Sequence, residues 1–244
     1  MQFEHINATI EVFQDRGQPV ISVDASLKGR SSMRTGIYAG ISTARVIALL
    51  ALASLPLRSP AQEVQPVTAA GEKAILSNPG TDPMGAKNAG VTVVEYFDYN
   101  CPYCKKLAHA LHTLLGEDHR VAVLYKDWPI LGEVSVYAAR SALAARWQGK
   151  YLVAHDALMN GPRLAQDDQV DAILQRAGLN IEELKRDRKM HAEEIDNLLA
   201  RNDAEAHALH LQGTPGVVVG RQLAFGVSGV SDLEKLVASA RHGQ

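Results

Sequence analysis

Cys101 and Cys104 are the only cysteines of a 244-residue chain, and they stand in the run Cys-Pro-Tyr-Cys. A pair spaced this closely can supply half of a metal site, close a small structural ring, or exchange electrons. A ring this small stabilises little, because the chain-entropy gain grows with loop length and reaches only about 3 kcal/mol for a loop of about 15 residues. A structural zinc site takes four ligands, and there is no second cysteine pair to complete one. His207 with His210, and His109 with His112, are the candidate completions. Both pairs lie on helical patterns among polar residues, where histidines are usually solvated. "GTPGVVVG" (213–220) has the look of a phosphate loop. It lacks the Gly-Lys-Ser/Thr ending and leads into a strand rather than a helix, so that reading is set aside. Electron exchange is the chemistry the pair favours.

Exchange requires two unequal sulfurs, and the flanking elements predict them. "VTVVEYF" (91–97) is dense in β-branched and aromatic residues and reads as a buried strand. After it, Cys104, Ala108, Leu111 and Leu115 recur at helical spacing, with Leu107 and Leu114 widening the stripe. Cys101 therefore falls at the helix start, where unpaired backbone N–H groups favour an anion and lower a thiol pKa. Pro102 suits the first helical position, and Lys105 and Lys106 add positive charge one turn on. Cys104 lies on the core-facing stripe. The expectation is one exposed, reactive sulfur and one shielded sulfur.

The remaining elements follow from pattern. "VAVLYKDWP" (121–129) is a second strand, and strand, helix, strand makes a βαβ unit with parallel strands. Helices are predicted around Val136–Trp147, Tyr151–Met159, Asp168–Ala177, Ile181–Met190 and Ala192–Leu211. "GVVVG" and "QLAF" (222–225) read as two short strands joined at Gly220-Arg221. The last helix carries Ser231 and Glu234 as a capping box. Residues 62–88, rich in Gly, Pro, Asn and Asp, read as a lead-in segment with a helical turn around Glu72–Leu76.

Composition is that of an ordinary globular chain, 46% apolar and 21% charged. The net charge of −2 gives no electrostatic reason to expect nucleic acid or an anionic membrane surface as a partner. "VIALLALASLPL" (46–57) is uncharged but shorter than the about 20 residues that a membrane span needs. Arg34 and Arg45 precede it, and "SPAQE" follows with small residues around a cut after Ala61. Residues 33–61 thus read as a secretory signal peptide starting at Met33, and 1–32 as an upstream extension outside the mature fold. An oxidising compartment follows from that reading.

Cys-Pro-Tyr-Cys opening a helix after a strand, with Thr214-Pro215 just before the strand of a later ββα unit, resembles the thioredoxin superfamily. "FDYNCPYCKK", "YKDWPILG" and the helices between the two halves resemble its DsbA-like branch of secreted thiol-disulfide oxidoreductases. The resemblance implies an α/β thioredoxin-like fold over 89–244, with a helical domain inserted at about 131–211 between βαβ and ββα. It implies that Cys101 attacks and Cys104 resolves, that Thr214-Pro215 carries a cis proline facing the disulfide, and that Pro102 and Tyr103 tune the contact surface. Glu95 would be a buried acid and Lys126 its partner, together relaying a proton to Cys104. No cofactor or metal is implied. The implied partners are unfolded or cysteine-containing secreted proteins and a membrane redox partner, in the periplasm. Gly216, where relatives often carry an apolar residue, is expected to widen or loosen the substrate loop. Pro-Tyr and the Thr before the proline look like isomerase or reductase members. Residues 62–75 are too short for a large oligomerisation segment, so a monomer is expected. These two clues conflict and leave the direction of electron flow open. A thioredoxin-fold chaperone or binding module is the competing function class.

Overall fold

The computed structural model describes residues 11–15, 18–22, 63–77 and 82–242. The chain divides into two units, Met1–Leu57 and Arg58–Gln244. In the first, the described residues form two strands paired antiparallel, β1 (Glu11–Asp15) and β2 (Gln18–Ser22). The segment 33–61, read from the sequence as a signal peptide with a start at Met33 and a cut after Ala61, lies outside the described residues.

The second unit is built on a six-stranded mixed sheet, ordered β3-β8-β7-β5-β6-β4. Its centre is β5 (Val91–Phe97) beside β6 (Val121–Asp127). The two run parallel, with Glu95 opposite Tyr125 and Tyr96 opposite Lys126. Both strands are almost wholly buried, as their β-branched runs require of strands covered on two faces. Helix α2 (Pro102–Glu117) provides the crossover that a parallel pair needs. Strand β7 (Gly216–Val219) lies antiparallel to β5, and β8 (Gln222–Ala224) antiparallel to β7. Gly220 between them takes φ +56°, a left-handed conformation that glycine adopts without cost.

Residues 62–88 do more than lead into the domain. They supply β3 (Val64–Pro66), paired with β8, helix α1 (Ala69–Ser77), and β4 (Met84–Gly85), paired with β6. Both sheet edges thus come from a segment whose turn-rich composition suggests none.

Five helices fill the interval between β6 and β7: α3 (Glu133–Ala144), α4 (Tyr151–Met159), α5 (Asp167–Arg176), α6 (Ile181–Met190) and α7 (Ala192–Ala208). The chain ends in α8 (Val230–His242). Ser231 falls inside the first turn of α8 rather than ahead of it. The Asp232 carboxylate instead accepts a hydrogen bond from the Ser228 N–H at 3.2 Å.

The sheet separates two apolar cores. On one side Val93 and Phe97 pack with α2, α8 and the helical block through residues such as Leu107, Leu111, Leu143 and Leu233. On the other, Val94, Tyr96, Leu124 and Trp128 pack with Ile75, Ala206 and Leu211. This is the α/β architecture that the resemblance implies, βαβ and ββα halves with a block of helices between them.

Candidate active site

Strand β5 runs straight into the turn that carries the cysteines. The Asp98 carbonyl accepts the Cys101 N–H at 3.0 Å, and Cys101 takes the cap position of α2 with Pro102 at the helix start. Cys101 has extended backbone angles, φ −76° and ψ 117°, while its carbonyl already accepts the Lys105 N–H. Cys104 is one turn further in. Pro102 and Tyr103 face solvent, Tyr103 with 69% of its surface exposed.

Both sulfurs are more sheltered than the spacing suggests. Cys101 is 4% exposed and Cys104 is fully buried. Their inequality is electrostatic rather than a matter of access. The Cys101 thiol is lowered from 9.0 to about 6. A hydrogen bond from the Cys104 thiol contributes most; burial opposes it; the Thr214 side chain and the backbone N–H groups of Cys104 and Tyr103 add to it. Helix-terminal N–H groups therefore help but do not lead. Cys104 is pushed strongly upward by burial, then by its bond to Cys101 and by the nearby Glu95. At neutral pH the site holds a thiolate at Cys101 and a thiol at Cys104. Lys105 does not turn toward them. Its ammonium donates to the carbonyls of Leu158 (2.6 Å), Gly161 (3.0 Å) and Met159 (3.3 Å), tying α2 to the end of α4. Lys106 is exposed.

Glu95 is completely buried beside the two sulfurs, and neither carboxyl oxygen has a hydrogen-bond partner among the described residues. Burial first, then the Cys101 charge, raise its pKa from 4.5 to about 8. It is a protonated acid at neutral pH, able to give its proton to a sulfur leaving nearby.

Lys126 requires a correction. It does not pair with Glu95. Its ammonium binds the Glu205 carboxylate of α7 at 2.9 Å, and Tyr96 donates to the same carboxylate at 2.9 Å. The parallel register explains this. Glu95 aligns with Tyr125, so Lys126 lies one residue out of step and points to the opposite face of the sheet. Trp128 Nε1 bonds Asp203, and Asn202 bonds the Asp127 carbonyl, each at 2.9 Å, so this side of α7 braces β6.

The Thr214–Pro215 peptide bond is cis, and the Cys101 sulfur lies 3.2 Å from the Thr214 carbonyl oxygen, to which it donates when protonated. The loop before β7 therefore lies directly against Cys101. Gly216 does not loosen it. A Cβ there would fall 2.6 Å from the Leu211 side chain, so the missing methyl lets Leu211 pack closely under the loop.

Several residues around the site carried no signal strong enough to single them out. Asp98, 1% exposed, accepts three hydrogen bonds at its carboxylate, and Asn100 binds both the N–H and the carbonyl of Leu164, at 2.8 and 3.1 Å. An Asp two residues before an Asn, at the end of a strand, is a legible hint of a side-chain-fixed turn. His155 gave none. It is buried between Phe97 and Tyr125, ring centroids 4.8 and 3.9 Å away, with Nδ1 3.4 Å from the Tyr99 hydroxyl. Burial, with His112 nearby, lowers it to about 3 and keeps it neutral. Asp127 accepts the Tyr151 hydroxyl at 2.7 Å, and burial raises it to about 7. Among the described residues no group of three or more His, Cys, Asp or Glu side chains is placed to hold a metal.

Two cysteines at a helix start, a low-pKa sulfur against a cis-proline loop and a buried acid behind them form an arrangement chemically able to carry thiol-disulfide exchange. The family model of the DSBA-like thioredoxin domain matches residues 92–238, and the chain belongs to that family. A thioredoxin-like oxidoreductase from Silicibacter pomeroyi is 40% identical, with a TM-score of 0.66 over 70% of this chain and 97% of that one. A periplasmic thioredoxin-like protein from Salmonella enterica serovar Typhimurium is 29% identical, with a TM-score of 0.62 over 73% and 99%. Among curated relatives, a Na(+)/H(+) antiporter NhaA 3 of Salinispora tropica is 32% identical over 161 residues, 64% of this chain and 24% of that protein. The chain spans about a quarter of the length of the antiporter relatives it matches.

Proposed function

We propose that the protein exchanges a Cys101–Cys104 disulfide with cysteine-containing protein substrates through a mixed disulfide at Cys101. A substrate thiolate attacks the Cys101 sulfur. The bond to Cys104 breaks, and Cys104 leaves with the bonding electrons and takes a proton from Glu95. A second substrate thiolate then attacks the substrate sulfur of the mixed disulfide, and Cys101 leaves as a thiolate. The substrate gains a disulfide, the enzyme is reduced by two electrons, and a membrane redox partner reoxidises it. The observation that carries this reading is the depressed Cys101 pKa beside the Thr214–Pro215 loop. A stabilised thiolate favours the reduced enzyme, and so favours donation of the disulfide over its formation. That observation supports the oxidase direction over the isomerase or reductase one. The signal-peptide pattern at 33–61 and the periplasmic Salmonella relative support export.

Trapping thiols in cell extracts with an alkylating mass tag tests the direction. A mostly disulfide pool agrees with donation, and a mostly dithiol pool overturns it. Cys101→Ser is expected to abolish peptide oxidation and insulin reduction. A variant that still performed the biological task would instead establish a chaperone role.

A further inference from the structure

Each exchange leaves Glu95 a proton short. Having given its proton to Cys104, the carboxyl must take up another, yet it is wholly buried and neither oxygen has a partner among the described residues. Burial, the larger cause of its raised pKa, draws a proton back whatever the charge on Cys101. Glu95 shares its face of the sheet with Phe97 of the same strand and with Tyr125, its partner in the parallel register. His155 of α4 packs against both rings, with centroids 4.8 and 3.9 Å away. The imidazole is itself wholly buried. Its Nδ1 lies 3.4 Å from the Tyr99 hydroxyl, which Asp127 and Tyr151 engage from the other side. Its Nε2 has no partner among the described residues. A buried polar atom left unpaired costs free energy, so its persistence asks for a reason. An unpaired acid and an unpaired imidazole nitrogen thus lie over one face of the sheet, beside the same Tyr125 ring. The helix that carries His155 also reaches solvent at the next residue. Asp156 pairs with His112 of α2 at 3.0 Å, their side chains 36% and 43% exposed. After burial, the largest influence on each, His112 acts on His155, while Glu95 and Asp156 both act on Tyr125.

Resting on the exchange reading, we propose that His155 carries protons from the His112–Asp156 pair at the surface to buried Glu95, by way of the Tyr125 hydroxyl. The step moves protons only and needs no oxidant or reductant. Solvent supplies a proton to the His112–Asp156 pair, and His155 takes it at Nε2. His155 gives it up to the Tyr125 hydroxyl, whose own proton passes to the Glu95 carboxylate. Burial keeps His155 neutral at rest, so it holds the proton only in transit. Glu95 enters each exchange already loaded, so this route governs its reloading rather than the first transfer to Cys104.

The test mixes oxidised full-length protein with a labelled single-cysteine peptide by stopped flow, in weak buffer containing a pH-indicator dye. The label reports formation of the mixed disulfide. The dye reports the proton that the peptide thiol sheds and Glu95 recovers. In wild type the two signals are expected to stay in step, with no acid transient. His155→Phe keeps an aromatic ring among Phe97, Tyr99 and Tyr125, and is expected to slow proton recovery about tenfold more than it slows mixed-disulfide formation. Equal slowing of both signals, or signals still in step, overturns the route and leaves His155 a packing residue. If His155→Phe does not fold, His112→Gln at the exposed end is expected to give a lag of about threefold, and signals in step there overturn the route as well. Wild-type protein that forms no mixed disulfide defeats the exchange reading itself. Wild-type protein that forms it with the same lag as His155→Phe defeats only this inference.

Discussion

Glu95 and Lys126 are buried ionisable residues on adjacent strands, yet they face opposite sides of the sheet and live by different rules. Lys126 has its charge answered. Burial lowers its pKa, but Glu205 at 2.9 Å opposes that, and Tyr96 shares the same carboxylate. Glu95 has no hydrogen-bond partner among the described residues and lies close to two sulfurs that change charge during exchange. A buried charge that is matched holds elements in place. A buried acid left unmatched keeps its proton until a neighbouring charge asks for it. On the proposed function, the two sides of one sheet thus divide bracing from proton transfer.

Breaking the unmatched side has the largest expected effect. Glu95→Gln is expected to slow mixed-disulfide formation about 100-fold, measured by stopped-flow mixing of the oxidised protein with a labelled single-cysteine peptide. It should also remove a pH dependence. Between 4.5 and about 8 folded Glu95 holds a proton that the unfolded chain has released, so stability falls as pH rises through that window. Urea melts at pH 9 should show Glu95→Gln more stable than wild type by about 5 kcal/mol, with the difference vanishing near pH 4. Cys101 works in the other direction. In the reduced protein it has released a proton between about 6 and 9.0 that the unfolded chain still holds, so the dithiol form gains stability as pH rises there.

Breaking the matched side should cost stability instead. Lys126→Met leaves Glu205 and Tyr96 without their cation and is expected to lower unfolding free energy by about 2 kcal/mol. Its exchange rate should stay within about threefold of wild type. A rate loss equal to that of Glu95→Gln would erase the division between the two faces. Gly216→Ala tests the loop instead, since its methyl must displace Leu211. About 1–2 kcal/mol of destabilisation is expected in a thermal melt. The smallest effect belongs to Thr214→Ala, which removes a side-chain contact from the Cys101 sulfur. Thiolate absorbance should report a pKa higher by about half a unit, with the potential lower by about 15 mV.

Where the sequence was legible, the cause was local. The β-branched run of β5 matches its predicted range of 91–97, and the helices from 151 to 190 lie close to their apolar periodicities. Local pattern also placed Cys101 at a helix start and Cys104 on its buried face. The misreadings were relational. Lys126 was assigned to the wrong face because strand register is set by partner strands, not by the residues of β6 alone. Strands β3 and β4, of three and two residues, are too short to carry any periodicity, and pairing alone defines them. The effect of Gly216 depended on Leu211, a tertiary neighbour outside its strand. Asp98 was not singled out from the sequence, because its three donors come from chain segments that meet only in the fold.

On the proposed function the protein meets incompletely folded chains, and the brevity of β3 and β4 then has a consequence. Such chains carry loose β-forming segments that extend any long, unprotected sheet border they meet. Here one border ends in a three-residue strand closing on Pro66, and the other in two residues with Gly85 at φ +105°. Neither offers a template long enough to capture a client, so the catalyst can greet misfolding-prone material at its reactive loop without being drawn into the aggregate.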